Sequence, residues 1–210
     1  MTPTAITQVL TTLEQAETVL NLSQSVDPDF LTEAEAARID RIRARYRYHR
    51  NSGHLAEGVV NLVVVSPLLE LAGFYDPPFQ LRAECSVSLD LESVSAELEG
   101  RRLQGRLDFL VVQEGLWLGV VESKGTEFNV EEGIPQVLAY MYASPRSIEH
   151  DRPIYGMVTN GGQFLFVKLL RPGNTRTVAQ YDISPLFSHL PVRYQLYDVA
   201  KVLKHLATVL

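Results

Sequence analysis

The stretch RLDFLVVQEGLWLGVVESK, from Arg106 to Lys124, decides how this chain is read. Two apolar runs, Arg106 to Val112 and Trp117 to Lys124, flank Gln113-Glu114-Gly115. A connection this short, with glycine in it, joins antiparallel strands. With the turn centred near Glu114 and Gly115, Asp108 lies across from Glu122, and opposed Cβ atoms in such a pair sit about 5 Å apart. Glu122 and Lys124 alternate along one strand and therefore share a face. Three ionisable groups thus converge on an apolar hairpin that includes Leu107, Phe109, Leu110, Val120 and Val121.

Like charges set opposite each other destabilise a sheet pair, and buried carboxylates need partners. A divalent cation removes that repulsion. Mg²⁺ takes oxygen ligands and is commonly held by one or two carboxylates with water and phosphate; Mn²⁺ suits the same donors. The Ser123 carbonyl is a further candidate ligand. Lys124 would face the attacking water or the phosphate and neutralise charge developing on phosphorus. The same three residues also fit a salt bridge on an exposed sheet face, and a one-residue slip in register would turn Asp108 to the opposite side.

Working outward, Ile6, Val9, Leu10, Leu13 and Leu20 recur at helical spacing and predict a first amphipathic helix, ended by the turn Asp27-Pro28-Asp29. Thr32 with Glu35 forms a capping box that starts a second helix, with the apolar stripe Ile39, Ile42 and Tyr46 and a break at Asn51-Ser52-Gly53. A third helix runs from about His54 to Leu71, with Pro67 placed to kink or shorten it and Gly73 as its C-terminal cap. Phe79 to Leu89 alternates as a strand. After the hairpin come a helix from about Pro135 to Ala143, strands at Ile154 to Thr159 and Gln163 to Leu169 around Asn160-Gly161-Gly162, a weak strand near Val178 to Ile183, and a last helix from about Tyr197 to Leu206. This order predicts one α/β domain over 1–210, a central mixed β-sheet flanked by helices: a helical extension at 1–52, a core at 53–170, and a closing strand and helix at 171–210.

Composition sets the outer bounds. Hydrophobic residues are 46% and charged residues 21% of 210, a soluble globular balance that excludes a disordered chain. One cysteine, Cys85, excludes an internal disulfide. The apolar stretch from Val59 to Ala72 is interrupted and too short to span a bilayer. With a first segment lacking a basic start, a cytoplasmic protein with no membrane contact is expected. The net charge of −6 does not favour nucleic acid. It is unevenly spread, because Arg38, Arg41, Arg43, Arg45, Arg47 and Arg50 crowd one helix, and a local basic face can meet DNA when the total is acidic. Arg41, Arg45 and Arg47 are the candidate DNA contacts; simple solvation of the helix is the alternative.

Three further residues gather round the hairpin. Gln136 and Tyr140 are one helical turn apart on one face, and Gln136 falls in the first turn, where the helix dipole favours phosphate. Glu57 follows Gly53 in a largely apolar stretch and either completes the metal site or is a solvated helix residue. Together, Gly105-Arg106-Leu107-Asp108-Phe109, Val121-Glu122-Ser123-Lys124 and Gln136-Val137-Leu138-Ala139-Tyr140 resemble the PD-(D/E)XK nuclease superfamily with its Gln-x-x-x-Tyr helix. Gly156-Met157-Val158-Thr159-Asn160-Gly161 with Phe164 and Lys168 resembles the strands that follow in the N-terminal nuclease domain of type I restriction enzyme R subunits. The resemblance covers about Glu57 to Lys168. It implies a restriction-endonuclease-like core, metal ligation by Asp108, Glu122 and Glu57, a catalytic Lys124, and phosphate or lysine positioning by Gln136 with Tyr140 in support. Leu107 stands where the family's naming proline would be. Those R subunits carry an ATP-driven motor, whereas this chain has no Gly-x-x-x-x-Gly-Lys-Ser/Thr loop.

Gly-x-Ser-x-Gly and Gly-x-Gly-x-x-Gly are absent from the sequence, and the five histidines show no close ligand spacing. Two functions follow from the residues: a Mg²⁺- or Mn²⁺-dependent DNA nuclease, or a nuclease-fold binding module that docks to DNA or protein with little activity alone. A motor or specificity subunit and a second copy of the chain are the candidate protein partners.

Overall fold

The computed structural model describes residues 14–15, 31–90, 102–113, 116–144, 153–170, 179–189 and 194–209, with backbone alone at 14–15, 89–90, 102–103, 116–123 and 209. Helix α1 (Glu33–Asn51) starts at the anticipated box: Thr32 Oγ1 accepts from the Glu35 N–H at 3.3 Å, and the Glu35 carboxylate accepts from the Thr32 N–H at 2.7 Å. Ile39, Ile42 and Tyr46 are its buried stripe, and it ends at Ser52 before Gly53.

The next helical stretch falls into α2 (Glu57–Val60), one π-helical turn (Asn61–Val65) and α3 (Ser66–Ala72). The disruption anticipated at Pro67 is met by this turn just ahead of it. The Ser66 N–H reaches the carbonyl of Asn61, and the wider turn eases the approach to a ring that an unbroken α ladder does not accommodate. Val60, Val64, Val65, Leu68 and Leu69 are buried, while Leu62 is thrown outward and is 74% exposed. Gly73, at φ 94°, closes α3 in the left-handed conformation.

The strands are β1 (Glu14–Gln15), β2 (Gln80–Asp90), β3 (Arg102–Gln113), β4 (Leu116–Ser123), β5 (Ile154–Thr159), β6 (Gln163–Leu170), β7 (Gln180–Ile183) and β8 (Phe187–Ser188). They form one sheet in the order β1-β7-β6-β5-β4-β3-β2, with β8 also on β6. β4 with β5 and β1 with β7 run parallel; the other pairs are antiparallel. Parallel neighbours need a crossover. Between β4 and β5 it carries a 3₁₀ turn (Val130–Gly133) and α4 (Ile134–Tyr142). Helix α5 (Leu196–Val209) closes the described chain.

The sheet lies between two cores. On one face α1, α2, α3 and α5 pack on Val111, Met157, Phe164 and Phe166. On the other, α4 packs on Leu107, Leu110, Val112, Val158, Leu165 and Val167. Apolar residues therefore occupy both sides of β5 and β6. This is the α/β architecture expected from the sequence, a central mixed sheet flanked by helices. One correction concerns the first predicted helix: Glu14 and Gln15 are a strand, paired parallel with Gln180 and Tyr181. A ladder to a distant partner outweighs local periodicity there. The remainder of that helix, the Asp27-Pro28-Asp29 turn, Glu114-Gly115 and Val178 lie outside the described residues. Among the described residues no helix is long and apolar enough to cross a membrane.

Candidate active site

Asp108 sits where the pleat of β3 slips. Leu107 packs into the α4 core, yet Phe109 packs against the core of the opposite face, although residues two apart on a regular strand share a face. β2 does the same. Leu81 joins one core and Cys85 and Val87 the other. Between them lies Glu84, at φ 54°, a backbone conformation uncommon for a residue with a side chain. Ala83 pairs with Phe109 and Cys85 with Leu107, so Glu84 and Asp108 mark the same step of the ladder. On its other side β3 pairs with β4 as far as Phe109 with Val121, after an irregularity between Val111 and Val112. The pairing of β3 with β4 ends there, one residue short of Asp108 and Glu122. The Glu122 backbone lies beside Val158 of β5.

Glu57 is brought to Asp108 by a clasp between distant loops. The Leu55 N–H donates to Thr126 Oγ1 at 2.9 Å, and the Thr126 N–H donates to the Leu55 carbonyl at 3.1 Å. Gly125 makes the approach possible, because a Cβ there would lie 3.2 Å from the Leu55 carbonyl oxygen. This seats the start of α2 against the residue that follows Lys124. The Glu57 carboxyl hydrogen-bonds that of Asp108. Burial, then the Asp108 charge and that bond, push the Glu57 pKa above the usual carboxylate range, with the Lys124 charge pulling it back. Two carboxylates in contact repel each other, and a cation between them would relieve that repulsion.

Lys124 leaves the end of β4 with its N–H donating to the Thr159 carbonyl at 2.7 Å. Its ammonium lies 5.6 Å from the centre of the Phe128 ring. The turn after Thr159 is held tightly. Asn160 Oδ1 accepts from the N–H groups of Gly162 and Gln163, and Asn160 Nδ2 donates to the Phe128 carbonyl at 2.9 Å. His189 Nε2 donates to the Gly161 carbonyl at 2.6 Å, and the Tyr46 ring packs edge-on against His189. Burial lowers the pKa of His189, so its ring stays neutral beneath this turn. None of this bracing is anticipated from the sequence; only the Asn160-Gly161-Gly162 turn signal points toward it.

Gln136 is in the first turn of α4, as expected. It donates through Nε2 to the Tyr140 hydroxyl at 2.8 Å, and that hydroxyl donates to the Arg106 carbonyl at 3.1 Å. Tyr140 lies over Gly105, where an added Cβ would come within 2.5 Å of its oxygen. The pair thus anchors β3 two residues before Asp108, from the sheet face opposite Glu57. Of the six clustered arginines, Arg38 pairs with Glu70, Arg43 with Asp40, and Arg50 donates to the Gly53 carbonyl. Arg41, Arg45 and Arg47 are exposed. A cleft of about 500 Å³ adjoins the site, lined by His54, Leu55, Ala56 and 125–128, and His54 and Glu127 meet there at 2.9 Å.

Glu57 and Asp108 are the carboxylates that meet among the described residues, where no group of three or more His, Cys, Asp or Glu assembles for a metal ion. Two hard oxygen donors beside a lysine suit Mg²⁺, which is often bound by one or two carboxylates with water completing its shell. The raised pKa of Glu57 marks a pair that a cation would relieve.

No family model and no curated protein matches the chain. Among solved structures it is similar to a fragment described as an HsdR subunit of a type I restriction enzyme from Vibrio vulnificus YJ016, at 20% identity and a TM-score of 0.39. The match covers 54% of this chain and 21% of that one, so the chain spans about a fifth of that protein's length.

Proposed function

We propose that this chain is a divalent-cation-dependent nuclease that hydrolyses phosphodiester bonds in DNA, acting in restriction or another DNA-processing pathway. The observation that carries the reading is the meeting of Glu57 and Asp108, from a helix and a strand far apart in sequence, beside Lys124. A salt bridge alone needs one carboxylate for one lysine. A second carboxylate in contact with the first adds repulsion that a structural pair would avoid.

Glu57 and Asp108, with Glu122 from the neighbouring strand, would hold Mg²⁺ or Mn²⁺. The ion would supply Lewis-acid polarisation of the phosphate and a more acidic water. Lys124 would place its ammonium against the phosphate and stabilise the charge that grows as water attacks phosphorus and the P–O bond to the leaving oxygen breaks. Gln136 and Tyr140 would steady β3, and through it Asp108. Arg41, Arg45 and Arg47 would contact the DNA backbone. A motor or specificity subunit, or a second copy of the chain, would supply translocation or target choice.

The test is cleavage of circular and linear DNA by wild type and Asp108→Asn, with Mg²⁺, with Mn²⁺ and with a chelator. Cation-dependent cutting by wild type alone is expected. A docking role without chemistry would be the better reading if wild type bound DNA yet left it intact with both cations.

A further inference from the structure

The cleft beside the carboxylate pair is bounded by the two segments that the Leu55–Thr126 clasp ties together, His54 to Ala56 and Gly125 to Phe128. The first segment ends just before Glu57, and the second begins just after Lys124. Its volume of about 500 Å³ falls within the range of small-ligand sites.

Phe128 is the lining residue that the fold alone does not explain. It is half-buried, yet it belongs to neither hydrophobic core. Its backbone is nonetheless fixed on both sides. The Phe128 N–H donates to the Gly125 carbonyl at 3.0 Å, and its carbonyl accepts from Asn160 Nδ2 at 2.9 Å. Aromatic rings dominate core energetics, so a braced turn that keeps one out of both cores forgoes that stabilisation. The lining has no lysine or arginine to offer a phosphate, and its charged residues, His54 and Glu127, pair with each other at 2.9 Å. An uncharged planar group suits such walls better than an anion. The Lys124 ammonium, assigned above to the phosphate, is 5.6 Å from the centre of the Phe128 ring. Only a sugar separates phosphate from base in a nucleotide, so a phosphate held at Lys124 brings a base within reach of that ring.

We propose that this cleft receives the base of the nucleotide beside the scissile phosphate, stacked on Phe128, and that the chain therefore acts on single-stranded or locally unpaired DNA ahead of intact duplex. The inference rests on the nuclease reading of the preceding subsection. Aromatic side chains next to a backbone-binding site hold single strands without regard to sequence, because every base has a face to stack. In a duplex those faces are covered by neighbouring bases. A paired nucleotide reaches the ring only by being extruded, which costs unstacking and unpairing.

The test measures the anisotropy of a labelled thymidine oligonucleotide, and of an equally long backbone lacking bases, with the full chain in a chelator so that nothing is cut. Wild type should bind the strand with bases about 5- to 150-fold more tightly. Phe128→Leu should lose that preference, and Phe128→Trp should keep it. An undiminished preference in Phe128→Leu, or none in wild type, overturns the inference. Should Phe128→Leu fail to fold, Ala56→Leu narrows the cleft from its other segment, and a preference as large as that of wild type overturns the inference in the same way. The second readout is cleavage with Mn²⁺ of one sequence as single strand and as duplex. Wild type that cuts the duplex as fast as the single strand overturns the inference and leaves the nuclease reading standing. Wild type that cuts neither removes both.

Discussion

The carboxyl of Glu57, at the start of α2, hydrogen-bonds the carboxyl of Asp108, in the slipped pleat of β3. That contact joins two elements whose loops are tied by the Leu55–Thr126 clasp. It sets two like-charged groups in contact, and burial together with the Asp108 charge raises the Glu57 pKa.

A cation should relieve that contact. Mg²⁺ or Mn²⁺ should raise the melting temperature by binding the native state alone. Asp108→Asn should abolish the cation-induced gain and, by relieving repulsion, melt higher than wild type in a chelator. Equal cation-induced shifts in the two proteins would remove the site from consideration.

His189 should make the fold sensitive to mild acid. Burial holds its folded pKa below the ordinary value of 6.5, so the unfolded chain takes up the proton first. Its contribution is present above about 6.5 and is lost as pH falls below that value. Melting temperatures between pH 7 and 5 should fall more steeply for wild type than for His189→Gln, which keeps a donor for the Gly161 carbonyl and does not titrate. Parallel curves would show that this histidine does not control the loss.

The anchor on β3 should be measurable as stability. Tyr140→Phe removes the bond to the Arg106 carbonyl and the acceptor for Gln136, and should cost about 1–3 kcal/mol in urea unfolding. Gly105→Ala pushes a methyl into the Tyr140 ring and should cost about as much. Combined, the two should cost less than their sum, because both disturb one contact. Full additivity would mean that they act separately.

The exposed arginines should be felt through salt. Replacing Arg41, Arg45 and Arg47 one at a time with Gln should weaken DNA binding uniformly across sequences. The salt slope should fall by about 1 for each arginine that neutralises a phosphate. Unchanged affinity and slope in the triple variant would take DNA away from this helix.

How much is legible in the sequence depends on whether the signal is local. The Thr32–Glu35 box, the stripe of α1, the Gly73 cap and the antiparallel pairing of the β3–β4 hairpin are all written within a few residues of one another. Gln136 and Tyr140, one turn apart, are legible as a pair; their anchor at the Arg106 carbonyl is not, because backbone acceptors carry no residue signature. β1 reads as helix because its partner lies far along the chain. The slip of β2 and β3 at Glu84 and Asp108 defeats the alternation from which strand faces are read. Glu57 is a candidate from its surroundings, but the Leu55–Thr126 clasp that delivers it has no pattern in the sequence.

The most direct test of the central claim is plasmid cleavage by wild type and Lys124→Ala with Mg²⁺ or Mn²⁺, read beside cation-induced thermal shifts of the same two proteins. Lys124 is assigned to the phosphate, and the carboxylates to the ion. Wild type should cut and Lys124→Ala should not, while both keep a comparable cation-induced shift. Wild type that cuts neither DNA nor RNA with either cation, or Lys124→Ala that cuts as fast as wild type, would contradict the account.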